Sequence, residues 1–213
     1  MTTETMTIHK ALSELKILDG RIKKEIQSGS YCAANKHSNE KINGIPIQDF
    51  RKTVQGTYDK VTDLINRRKA IKKAIVLSNA KTTVKIADTE YTVAEAIEMK
   101  NHWIEFETML INVMDMQYKQ AQAEVNRQNG NNLEERADQY VTAIYGQKEG
   151  KTNSADIDKV RKDFLEANSY EIVDPINVQD KVETLRQKID AFMADVDSAL
   201  SVSNALTKIT IEY

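Results

Sequence analysis

Five cations fall within seven residues at Arg67-Arg68-Lys69-Ala70-Ile71-Lys72-Lys73, and the chemistry they suit is the gripping of an anion. On a helix, at about 100° per residue, Arg67, Lys69 and Lys73 point away from the apolar seam of their segment. Arg68 does not. It falls at the centre of the series Phe50, Val54, Thr57, Val61, Leu64, Arg68, Ile71, Ile75, with Lys72 close by. A guanidinium in an apolar seam needs an anion or strong acceptors, or a route by which its long stem reaches solvent. One partner is Glu107, which interrupts the seam of a later helix at a matching position if the two helices run antiparallel across an intervening hairpin. The other is a small anionic ligand such as a phosphate, held by Arg67, Arg68 and Lys72 in an inter-helix or inter-subunit pocket.

Other candidate chemistry has weaker spacing. Gly146 to Thr152 places three residues between its glycines where a phosphate loop needs four, and it comes after a helical rather than a strand pattern. Glu95, Glu98, His102 and Glu105 share a helix face, but Glu98 and His102 lack the i, i+3 spacing of di-iron bundles and no second Glu/His helix exists, so a solvated acidic face is expected. Cys32 and His37 lie near one another in a polar loop, a spacing that does not by itself make a nucleophile and base. Neither a Gly-x-Ser-x-Gly elbow nor a His-Glu-x-x-His motif occurs. The expectation is a chain with no catalytic residues, metal or cofactor.

Composition constrains the elements that carry these residues. The 213 residues include only 7 Gly, 2 Pro and 1 Cys, too few breakers for a sandwich, a barrel or a doubly wound fold. Thirty Lys and Arg against 32 Asp and Glu leave a net charge of -2, which argues against bulk nucleic-acid binding. No run of about 18 apolar residues is present, so no membrane span is expected. The polar start and the free thiol point to the cytoplasm.

Helical periodicity covers residues 7–27 with Thr7 as cap, then 49–78, 93–128 and 178–203, with shorter helices at 133–145 and 154–168. Residues 28–48 form a long polar loop. Lys81–Ile86 and Glu90–Val93 alternate as a β-hairpin around Ala87-Asp88-Thr89, and Thr92 with Glu95 forms a capping box. The 93–128 helix has two apolar seams. One runs from Val93 to Val125. The other is Ala96, Met99, Trp103, Phe106, Leu110 and Val113, which predicts contact with more than one partner, as the central helix or as a helix that also faces another subunit. Ser78-Asn79-Ala80 and Ser203-Asn204-Ala205 each end a helix before a strand. Their similarity places the C-terminal strand, from Thr207, beside the hairpin as a three-stranded sheet at one end of a helical bundle.

The segments Ala74 to Thr83, Glu90 to Ile97 and Ser203 to Thr207 resemble a family of uncharacterised helical proteins. It includes the septicolysin-labelled Corynebacterium-type group and related proteins of phages and prophages of Gram-positive bacteria. The resemblance covers residues 7–128 and 178–213 and implies a fold and an oligomeric habit, not a reaction. The expectation is therefore one mainly α domain over residues 1–213, with 129–176 as a short-helix insertion in a coiled-coil-like bundle. Such a chain would be a non-enzymatic homo-oligomer that sequesters a small anionic ligand, with a nucleotide signal of host immunity suggested by the phage-like resemblance. A virion structural or assembly protein, and an adaptor that inhibits a host protein, are the alternatives.

Overall fold

A computed structural model describes residues 2–146 and 154–213. Strand β1 (Thr3–Thr7) leads into α1 (Ile8–Ser28), then the short strands β2 (Lys41–Ile42) and β3 (Ile45–Pro46), and then α2 (Ile47–Asn79). Strands β4 (Thr83–Ile86) and β5 (Thr89–Thr92) precede α3 (Val93–Glu98), a π-helical turn (Met99–Trp103) and α4 (Ile104–Asn129). Then come α5 (Asn131–Tyr145), α6 (Ser154–Asn168), α7 (Val178–Leu206) and β6 (Lys208–Glu212). The described residues are thus mainly helical, with three antiparallel strand pairs. No helix among them is long and apolar enough to cross a membrane. The chain divides into two compact units, Met1–Trp103 with Ala191–Tyr213, and Ile104–Asp190.

In the first unit the seam of α1 is buried as its periodicity predicts from Ile8 to Ile22, while Ile26, one helical step further along the same seam, is exposed. Ile8, Ala11, Leu15, Leu18 and Ile22 are buried, and they form one core with Met6, with Ile71 and Ile75 of α2, and with Ile209 and Ile211 of β6. The Thr7 hydroxyl accepts from the Lys10 N–H at 3.2 Å and so caps α1. Contacts Glu14–Arg67 and Glu25–Lys60 show that α1 and α2 run antiparallel. The hairpin turns tightly at Ala87 and Asp88, both at positive φ (46° and 64°), as a two-residue connection between twisted strands requires. Its Tyr91 ring meets Phe192 edge-on at 5.7 Å, and Thr92 and Glu95 close the expected capping box.

Three expectations are corrected here. The C-terminal strand does not join the hairpin in a three-stranded sheet. It pairs with β1 in the register Met6↔Ile209 and Thr5↔Thr210. The alternating segment Thr3–Thr7 offers a partner that lays Met6, Ile209 and Ile211 on the core while the Thr5 and Thr210 hydroxyls meet at 3.0 Å on the other face. The Ser-Asn-Ala segments do not close their helices in the left-handed conformation. Ala80 stays right-handed and the N–H groups of Lys81 and Thr82 donate back to the Ser78 carbonyl, while α7 continues past Asn204 to Leu206. The long 93–128 helix is not uniform, because its α-helical geometry is interrupted by the π turn at Met99–Trp103, which adds a residue to one turn.

The second unit contains α4, α5, α6 and the first part of α7. Leu133 and Ala137 of α5 are buried, and the Tyr140 ring lies 4.8 Å from Phe164 of α6. Asn129 holds the chain after α6 by a paired contact. Its amide donates to the Tyr170 carbonyl at 2.7 Å and its oxygen accepts from the Tyr170 N–H at 2.8 Å. Asp174 caps the start of α7 by accepting from the Val178 N–H at 2.8 Å.

Candidate functional site

The basic run lies on the part of α2 that packs on α1, and its two arginines are both engaged within the chain. Arg67 is the inward one, its side chain 17% exposed, contrary to the expectation that it points away from the seam. It grips Glu14 with two nitrogens, reaches Glu4 at 2.8 Å, donates to the Tyr213 hydroxyl, and lies over the Tyr213 ring at 4.8 Å. The Glu14 carboxylate, and after it Glu4, raises the guanidinium's pKa above its ordinary value against the opposing effect of partial burial. In turn the Arg67 hydrogen bond holds the Glu4 carboxyl below its usual range.

Arg68 does not meet Glu107. It binds Asp19 of α1 and keeps that carboxyl below its ordinary pKa, while Glu107 binds Lys188 of the second unit at 3.2 Å. The reason is the partner of the helix face. The α2 seam lies on α1, so the acceptor at its depth comes from α1. The side chain of Arg68 is 42% exposed, so its stem carries the charge outward rather than into the core. Lys69, Lys72 and Lys73 are exposed. Arg67, Arg68 and Lys72 therefore share one stretch of helix, but two of the three already have carboxylate partners.

A different set of cations is free of such partners. The loop after α1 and the first turns of α2 enclose a cleft of about 600 Å³. Lys36, His37 and Arg51 line it together with the rings of Tyr31 and Phe50, the amides of Asn35, Asn39 and Gln55, and the aliphatic Ile42, Ile47 and Val54. Among the described residues no Asp or Glu lines it, and neither Lys36 nor Arg51 forms an ion pair. The loop is built, not merely polar. Asn39 donates its N–H to the Lys36 carbonyl at 2.9 Å, and the Asn35 and Asn39 side chains are joined at 3.3 Å. Asn43 and Gly44, both at positive φ, turn β2 into β3. Gly29 lets the Tyr31 ring fold back against the end of α1, since a Cβ there would sit 2.6 Å from the Tyr31 hydroxyl. Helix α2 opens at Pro46 with no side-chain cap, so the cap residue does not compete for its first N–H groups. Sequence reading singled out this loop but not its cations. The Asn43-Gly44 pair is the signal that could have found its hairpin.

Cys32 and His37 both line this cleft, and among the described residues no hydrogen bond joins them. Glu95 is taken up by its capping box, and among the described residues no three His, Cys, Asp or Glu are grouped to hold a metal ion. The near-miss phosphate loop at Gly146–Thr152 lies outside the described residues beyond Gly146.

The second seam of the 93–128 segment is buried at Ala96 and Met99 and exposed after them. On α4, Phe106, Met109, Leu110, Val113 and Met116 remain between 40% and 67% exposed, while Ile111 on the other seam is buried. Glu105, Thr108 and Asn112 border Met109, Val113 and Met116 in a shallow groove. No family model matches the chain, and neither does any curated protein or solved structure.

Proposed function

We propose that the chain works by binding rather than by catalysis, as a homo-oligomer whose subunits meet through the apolar face of α4. The observation that carries this reading is the row Phe106, Met109, Leu110, Val113 and Met116, all large and all at least 40% exposed. Together they form a patch on the order of 500 Å², near the upper end for monomers. Two copies face to face would remove roughly 1,000 Å², the lower bound for a specific interface. A second copy suits the face because side-chain size changes along it. An antiparallel pairing about a two-fold axis between Met109 and Leu110 sets Phe106 against Val113. Self-assembly is also common to the three wider readings, a sequestering scaffold, a virion component and an adaptor on a host protein. The phage setting rests on the family resemblance, and the cytoplasmic setting on the sequence.

The cleft between residues 31 and 55 favours the sequestering reading among these. Its cations lack internal counterions, as a site waiting for an anion requires. Sedimentation at micromolar concentration tests the assembly. The intact chain is expected as a dimer or larger, and Phe106→Glu as a folded monomer with an unchanged helical circular-dichroism spectrum. A compact monomer of the unaltered chain at tens of micromolar would overturn the reading.

A further inference from the structure

The molecule carries two groups of cations near helix α2: among the described residues the arginines of the first, Arg67 and Arg68, are held in ion pairs, whereas Lys36 and Arg51 of the second are in none. We infer that the cleft at residues 31–55 binds a mononucleotide, with Lys36 and Arg51 on the phosphate and the Phe50 and Tyr31 rings on the base. This rests on the reading of the chain as a sequestering protein and specifies its site and ligand class.

Four observations lead there. The charge of the lining is one-sided, with Lys36 and Arg51 present and, among the described residues, no carboxylate. An arginine fork and an ammonium are the pair that proteins set on phosphate, the first for its geometry and the second as a point charge. The cleft of about 600 Å³ is within the size range of small-molecule sites and far larger than an inorganic ion needs. Phe50 and Tyr31 supply flat apolar surface, on which every base can stack. Asn35, Asn39 and Gln55 supply amides for the edges of a ring, although Asn35 and Asn39 are partly committed to each other and Gln55 donates to Asp59. A long nucleic acid is a poorer occupant, because the chain's net charge of -2 provides no extended positive track.

Calorimetric titration of the full chain tests this, using the four nucleoside 5′-monophosphates, adenosine and inorganic phosphate as probes. The result expected is that at least one nucleotide binds about tenfold or more tightly than either adenosine or phosphate. Arg51→Ala and Lys36→Ala should each weaken that binding by about tenfold while leaving the melting temperature unchanged, since both side chains are exposed. Phe50→Ala should weaken it too, and Arg68→Ala should not. If a nucleotide binds but Arg51→Ala and Lys36→Ala leave its affinity intact, the cleft is the wrong site and sequestration stands. If phosphate binds as tightly as any nucleotide, the assignment of the rings fails. If no probe binds, the inference fails together with the sequestering reading, while the self-assembly of α4, measured separately, is unaffected.

Discussion

Arg67 and Arg51 sit on the same helix sixteen residues apart and have opposite surroundings. Around Arg67 the chain has assembled Glu4, Glu14 and Tyr213, drawn from β1, α1 and the residue after β6. Around Arg51 it has placed a lysine, a histidine and two aromatic rings. The first arrangement uses a positive charge to join distant parts of the chain. The second leaves it available to something else. A cluster of cations in a sequence therefore says little about anion binding until the acidic residues that reach it are known, and these can lie anywhere in the chain.

Stability measurements should separate the two arginines most widely. Arg67→Ala takes its partner from the partly buried Glu14 and leaves Glu4 to Lys10 at 3.6 Å, and a loss of about 2–3 kcal/mol in urea unfolding is expected. Arg68→Ala should cost less, because its pair with Asp19 is half-exposed. Equal losses for Arg67→Ala and Arg51→Ala would erase the comparison. Acid should act on the same network. The folded pKa values of Glu4 and Asp19 are lowered by Arg67 and Arg68, so their contribution is present above the ordinary carboxylate range and is lost as pH falls through the folded values. The unaltered chain should therefore lose stability below about pH 4.5, and Arg67→Ala should show a shallower loss. A smaller change is expected at Gly20, beside Asp19. No atom lies within 4 Å of a Cβ built there, so Gly20→Ala should raise stability by about 1 kcal/mol through helix propensity alone. At the far end of the scale, Arg51→Ala should leave stability within about 0.5 kcal/mol, as befits an exposed charge without a partner.

Periodic features were legible in the sequence. The seam of α1, the Thr7 cap, the hairpin and the Thr92–Glu95 capping box all depend on residues within a few positions of each other. What was hidden depends on distant pairing. Strand β1 is five residues with one apolar side chain at Met6, too short to announce itself without β6 opposite. Arg68 at the centre of a seam correctly signalled a carboxylate partner, but nothing local could choose between Asp19 and Glu107. Helical periodicity also misplaced Arg67, because Glu4 comes from β1 and Tyr213 from the residue after β6, and helical periodicity does not include the pairing of those strands. The cations of the cleft were unreadable for a related reason, since Lys36 and Arg51 line one cleft across a loop that folds through the Asn35–Asn39 link and the turn at Asn43-Gly44.

The pairing of β1 with β6 also sets the order in which the molecule is completed on the ribosome. The apolar side chains at Met6, Ile8 and Ala11 emerge early, but Ile209 and Ile211, which close their core, are made roughly two hundred residues later. Until then the nascent chain carries an open apolar seam that other chains or chaperones can reach. The unit from Ile104 to Asp190 is continuous in sequence and needs no such wait. Closure of so long a loop is slow relative to local helix formation, so the final folding step of the first unit falls after β6 has left the exit tunnel.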